Sequence, residues 1–166
     1  IRGIARIESR DFVNWSPKVR VFTPGEEKLD QPFRSAPYGM KVMPYEGCFI
    51  GLINMYNWET LGPIPKDKLF QDKVNVQLAF SRNGITWNRV GSTGMIPHAD
   101  LSKDLDWKSI ARKQVFLQYG KHKKEWDWGQ LYAYQAPVVF DDKIWIYYTG
   151  LGSRHCVSYT HLTLPT

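Results

Sequence analysis

Residues 125–135 read EWDWGQLYAYQ, and this stretch gathers the side chains best suited to chemistry. Two carboxylates, Glu125 and Asp127, sit beside two indoles, Trp126 and Trp128, with Tyr132 and Gln135 following. Two neighbouring carboxylates can divide general acid and base work, one kept protonated and the other ionised. A carboxylate placed among indoles is shielded from water, which raises its pKa toward the duty of a general acid. Small-molecule sites also combine apolar ring faces with a few placed polar groups. Asp127 is therefore the first candidate for a catalytic group and Glu125 the second, with Trp126, Trp128, Tyr132 and Gln135 as substrate-binding candidates. The competing structural reading has the tryptophans packing between layers of sheet and Asp127 capping the turn before a strand.

Other polar residues carry weaker signals. Arg34 and Tyr38 stand at the entrance of a second apolar strand and are further ligand candidates, a surface salt bridge being the alternative for Arg34. Glu46 and Asp142 fall at tight turns and are expected in solvent; Asp11 is expected to cap a turn. His98, His122, His155 and His161 show no ligand spacing, so neither a metal site nor a cofactor is expected. Cys48 and Cys156 fit no redox or zinc spacing and read as unpaired packing residues.

Composition bounds the function. In 166 residues, 43% are hydrophobic and 23% charged, which suits a packed globular domain. The net charge of +6 is scattered; its densest cluster, KHKK at 121–124, meets Glu125 and Asp127 at once and reads as a solvated loop. A nucleic-acid partner would need a basic stripe or a binding motif, and none is present. No stretch approaches the roughly 20 apolar residues of a membrane-spanning helix.

The elements that must position these residues are announced by repetition. SRDFVNW at 9–15 returns as SRNGITW at 81–87, each preceded by strand-forming residues, GIARIES and VNVQLAFS. Each phrase reads as a hairpin corner that ends in a strand-opening tryptophan, Trp15 or Trp87. Asn83-Gly84 is a favoured pair for a tight turn because both residues tolerate positive φ; Phe12 in the Gly84 place predicts a different turn in the first copy. YGMKVMPYEGCFIGLIN at 38–54 aligns without gaps on YQAPVVFDDKIWIYYTG at 134–150, pairing Tyr38 with Tyr134 and Glu46 with Asp142. Each is a strand, an acidic turn and a second strand.

The repeats predict four-stranded antiparallel units: the end of one (residues 1–23), a complete one (37–92) and the first half of a third (131–156). Linkers with Pro24-Gly25, Pro63, Pro65 and Pro97 separate them, and residues 104–119 have room for one or two helical turns. Such units arranged radially make a β-propeller; a β-sandwich is the competing all-β reading. About two and a half blades do not close a ring, so the chain is expected to be a propeller fragment, extended at both ends in the parent protein. With the natural N-terminus expected to be missing, the compartment cannot be read. The last ten residues, VSYTHLTLPT at 157–166, are similar to a translated sequencing adapter and read as a non-native tail, the alternative being an edge strand.

The hairpin units and SRxxxxW corners together resemble the five-bladed β-propeller glycoside hydrolases, the arabinanase, xylosidase, invertase and levansucrase superfamily. The resemblance spans nearly all of residues 3–155 and implies a carbohydrate held at a central funnel, with catalytic carboxylates at the starts of inner strands. In the arabinanase and xylosidase relatives the general acid is the Glu of an EGP or EAP phrase; the matching phrase here is QAP, so Gln135 stands where that Glu would be. Gly39 occupies the same offset in the other unit. The resemblance thus implies either a glycosidase whose acid lies elsewhere or a propeller that binds carbohydrate without cleaving it. The corners also resemble the Asp boxes of six-bladed sialidases, a lesser alternative.

Overall fold

The computed structural model describes residues 2–23, 33–60, 72–90, 116–117 and 119–155, and of Phe33, Arg34 and residues 57–60 only the backbone. The proline linkers, the helical turns expected before 116, His98, Cys156, His161 and the tail 157–166 lie outside these residues. Among the described residues there are ten strands: β1 (Ile4–Arg6), β2 (Val19–Phe22), β3 (Phe33–Tyr45), β4 (Cys48–Thr60), β5 (Lys73–Ser81), β6 (Asn88–Arg89), β7 (Gln130–Ala133), β8 (Val138–Phe140), β9 (Lys143–Trp145) and β10 (Tyr148–Leu151). The fold is all-β, with antiparallel sheets and no helix among the described residues. Among those residues no helix is long and apolar enough to cross a membrane.

The centre is an antiparallel meander, β3-β4-β5-β6, running from Phe33 to Arg89 and so starting before the span 37–92 expected to form one complete unit. Alternation along β4 and β5 gives this sheet two apolar faces, because residues two apart point the same way and cross-strand partners share a side. Ile53, Met55 and Ala79 lie on one face, where Phe22 of β2 and Ile4 of β1 pack against them. Leu52 and Val76 lie on the other, covered by Leu131 and Ala133 of β7. The β1-β2 hairpin thus covers one face of the meander, while β7 and β10, which continue its sheet in the order β10-β7-β5-β4-β3, fold over the other.

β7 reaches its layer by crossing from edge to face. At Gln130 it lies parallel to Val74 at the free edge of β5. By Ala133 it has left that edge for the face of β4; one side of its backbone still pairs with β10, where Ala133 stands opposite Tyr148, and the other side, turned toward β4, meets no strand. Asn54 supplies the missing partners: its Nδ2 donates to the Ala133 carbonyl at 3.0 Å, and its Oδ1 accepts from the Ala133 amide at 2.9 Å. An amide side chain presents both donor and acceptor, so it can stand in for a strand edge. That explains a polar side chain buried between Leu52 and Val76.

The two SRxxxxW corners are built alike. Ser9 Oγ accepts from Phe12 N at 2.9 Å, and Asp11 Oδ1 accepts from Val13 N and Asn14 N at 2.9 and 2.8 Å. In the second copy Ser81 Oγ accepts from Gly84 N at 2.8 Å, and Asn83 Oδ1 accepts from Ile85 N and Thr86 N at 2.9 and 2.8 Å. The expected difference between the turns is not found, because Phe12 takes φ 63° where Gly84 takes φ 70°. Nor is Asn83 a positive-φ residue; it serves as the side-chain acceptor that organises the loop. Asp11 does cap its turn, and donors from Asn14, Val13 and Ser9 hold its carboxyl well below the usual carboxylate range.

The two hairpin tips match with one correction to the ungapped alignment. Glu46-Gly47 and Asp141-Asp142 both have positive φ at both positions, the type I′ signature. Glu46 is therefore equivalent to Asp141, not Asp142, a shift of one residue. The second hairpin is also broken in mid-course, where residues 134–137, containing Pro137, face only 146–147 between the two ladders. Proline cannot donate to a ladder, which favours such an interruption.

The two corner tryptophans have different surroundings. Trp87 packs on the Ile53, Met55 and Ala79 face, directly over Gly51; a Cβ on Gly51 would stand 2.7 Å from the indole and 2.8 Å from Met40 Sδ. Trp15 is 48% exposed and meets Phe12 edge-on at 5.5 Å. Replacing Trp87 by Ala should therefore lower stability by about 3 kcal/mol, against less than about 1 kcal/mol for Trp15→Ala, as read from urea midpoints.

Candidate functional site

The layer crossing at Ala133 leaves a groove of about 630 Å³ between β3 and β7. Tyr38 and Lys41 line it from β3, Gln130, Tyr132 and Tyr134 line it from β7 and its extension, and Leu151 and His155 also contribute. Tyr38 is there because β3 carries a bulge: the register slips between Pro37 and Gly39, and Tyr38 has no cross-strand partner. A bulge re-aims a side chain that regular pairing would hold in the ladder.

The groove has two aromatic clusters. Tyr38 stacks on Tyr56 at 5.5 Å and 26°, and the His155 ring tilts against both at 5.5 and 4.6 Å. Tyr38 Oη lies 3.1 Å from His155 Nε2. Beneath them Tyr56 donates to Asp72 Oδ1 at 3.2 Å, and the His155 amide donates to the Asp72 carbonyl at 2.7 Å. Across the groove Tyr132 stacks on Tyr134 at 5.4 Å and 12°. Tyr132 is buried and donates to Gln130 Oε1 at 2.7 Å, while Gln130 Nε2 donates to the Ser153 carbonyl at 3.1 Å. Tyr134 is 62% exposed, so one ring of the pair is open to a ligand.

The residues expected from EWDWGQLYAYQ separate into two places. Tyr132 joins the groove, as does Tyr38 from the weaker set. Glu125 is exposed and closes its own turn, accepting from Lys121 N at 2.8 Å. Asp127 is buried, with Oδ2 accepting from the Tyr148 hydroxyl at 3.2 Å. Burial, together with that carboxylate, raises the Tyr148 pKa. Trp126, 61% exposed, stacks on Tyr148 at 5.8 Å. Trp128 presents its carbonyl to Lys73 Nζ at 2.7 Å and its ring to the same cation at 5.1 Å. Gln135 is exposed in the irregular stretch 134–137. None of Glu125, Trp126, Asp127, Trp128 and Gln135 is among the described residues lining the groove.

Sequence reasoning missed Lys41, Gln130, Tyr134 and His155 as groove residues. Tyr134 had a signal, since the repeat pairs it with Tyr38. His155 had none, because 117 residues separate it from the tyrosine it touches. Among the described residues no group of three or more His, Cys, Asp or Glu is placed to hold a metal ion. Comparison with known proteins finds no matching family model, curated protein or solved structure.

Burial pushes the Tyr132 hydroxyl up to about 12, the nearby Tyr38 and Tyr134 adding to the shift. A raised folded-state pKa contributes stability that is complete below the ordinary value of 10.0 and disappears as pH climbs through about 12. An NMR titration should find the Tyr132 phenol ionising near pH 12, and Tyr132→Phe should soften the fall in melting temperature between pH 10 and 12. Ionisation at pH 10 would contradict the burial seen here.

Proposed function

We propose that the chain is part of a β-propeller of the glycoside hydrolase-like kind, its three layers being successive blades, and that it binds carbohydrate in the groove between β3 and β7. The observation that carries this reading is the pairing of aromatic walls, Tyr38 on one side and the exposed Tyr134 on the other, around a groove of about 630 Å³. That volume suits a small ligand, and the lining joins ring faces to a few polar groups, Gln130, Lys41 and His155. The apolar C–H face of a sugar ring covers a tyrosine face, while its hydroxyls meet the polar side chains.

Binding without cleavage is favoured over hydrolysis by the lining itself. No Asp or Glu is among the described residues that line the groove, and Gln135 occupies the place where the resemblance implies an acid. In the hydrolytic alternative Asp127 is the carboxylate to which the acid's role falls, being buried and hydrogen-bonded by Tyr148.

Calorimetric titration of the 166-residue chain with neutral arabino-, xylo- and fructo-oligosaccharides tests both. Binding should be detected, and Tyr134→Ala should weaken it about tenfold, the loss expected for one ring contact. Asp127→Asn should leave affinity within about twofold. A folded chain that binds neither these neutral sugars nor acidic ones would overturn the proposal. Release of reducing ends that falls by about 10²-fold or more in Asp127→Asn would establish the hydrolytic alternative.

A further inference from the structure

Among the described residues that line the groove the charge is one-sided. Lys41 lies opposite Leu52 in the β3-β4 ladder, which places it on the sheet face that β7 covers, and it lines the groove. It is partly buried and has no ion-pair or hydrogen-bond partner among the described residues. A second cation stands beside the same wall: the Arg2 guanidinium lies 5.0 Å above the Tyr38 ring. Two described carboxylates close to the groove's aromatic residues are turned elsewhere. Asp72 receives the Tyr56 hydroxyl and Asp127 receives the Tyr148 hydroxyl, and neither lines the groove.

A neutral sugar leaves this arrangement uncompensated. Withdrawing an ammonium partly from water weakens its hydration without supplying an opposite charge, and interactions at such a site are less screened than in bulk solvent. An acidic group on the sugar supplies that charge and gains a charge-assisted hydrogen bond, roughly twice as strong as a neutral one. The aromatic contacts are kept, because an acidic substituent leaves the ring's apolar face free to lie on Tyr134. We infer that the groove is built for an anionic sugar whose carboxylate or sulfate is held by Lys41, with Arg2 at the rim adding to the field. The inference rests on reading the groove as a sugar site.

The test separates the two. The 166-residue chain is titrated with a galacturonate trisaccharide, its fully methyl-esterified form, and a galactose trisaccharide bearing a 6-sulfate. At low ionic strength at least one acidic sugar should bind about tenfold or more tightly than the methyl ester, and the stronger of the two identifies the acid group. The gap should close in about 1 M sodium chloride, where screening acts over roughly 3 Å. It should also close in Lys41→Gln and persist in Lys41→Arg, which keeps the charge and checks that the site still folds. Equal binding of ester and acids, or a gap unchanged in Lys41→Gln, overturns the anionic specificity while leaving the sugar site standing. Failure of all three sugars to bind a folded chain overturns both.

Discussion

The Asn54 side chain, with its two hydrogen bonds to Ala133, is the constraint on which the arrangement turns. A strand that leaves a sheet edge to lie across a face carries backbone donors and acceptors into an apolar layer. Leaving one such group unpaired costs about 1–3 kcal/mol, more than a typical hydrogen bond contributes. Asn54 removes that cost for both Ala133 groups at once. Because its reach is fixed by a short side chain, it also fixes where β7 crosses β4. Tyr132 and Tyr134 flank Ala133, so the same two bonds set one wall of the groove.

The opposite wall depends on the central meander staying in register. β4 pairs without interruption along β5 from Phe49 to Asn57, which makes it the rigid reference for both outer layers. On the far face Gly51 admits the Trp87 ring, and buried Arg89 spans from Gln77 Oε1, 2.9 Å away, to the Phe22 ring, 5.4 Å away. The Ser-Arg corner delivers Trp87 to that place through side-chain acceptors, Ser81 and Asn83, that organise the loop backbone. Core packing on one face and the groove on the other are thus two consequences of one alternating strand pair. A bulge at Tyr38 then frees a single ring to face outward.

What could be read in the sequence follows from the range of each interaction. Corners, hairpin tips and alternating strands are local, and both repeats disclosed them; the all-β class and the antiparallel pairing came from those signals. Phe12 was misread because a hydrogen-bonded loop can hold a bulky residue at positive φ, at a cost of roughly 1–2 kcal/mol, when its acceptors are strong enough. The one-residue offset between Glu46 and Asp141 escaped because apolar alternation tolerates a shift near a turn. The groove was only half legible. Tyr38 and Tyr132 were found through their place in strands, whereas Lys41 and His155 become groove residues only through pairings between distant segments. EWDWGQLYAYQ drew attention by composition, yet its indoles and carboxylates serve a turn, a buried lysine and the Tyr148 stack.

Native-state hydrogen exchange at the Ala133 amide is the most direct measure of the clasp. The account predicts protection comparable to that of Val76 in β5, and its selective loss in Asn54→Leu, which keeps the side-chain volume but removes both hydrogen bonds, with Ile53 and Val76 still protected. Rapid exchange of Ala133 in the unaltered chain, or protection unchanged in Asn54→Leu, would contradict it.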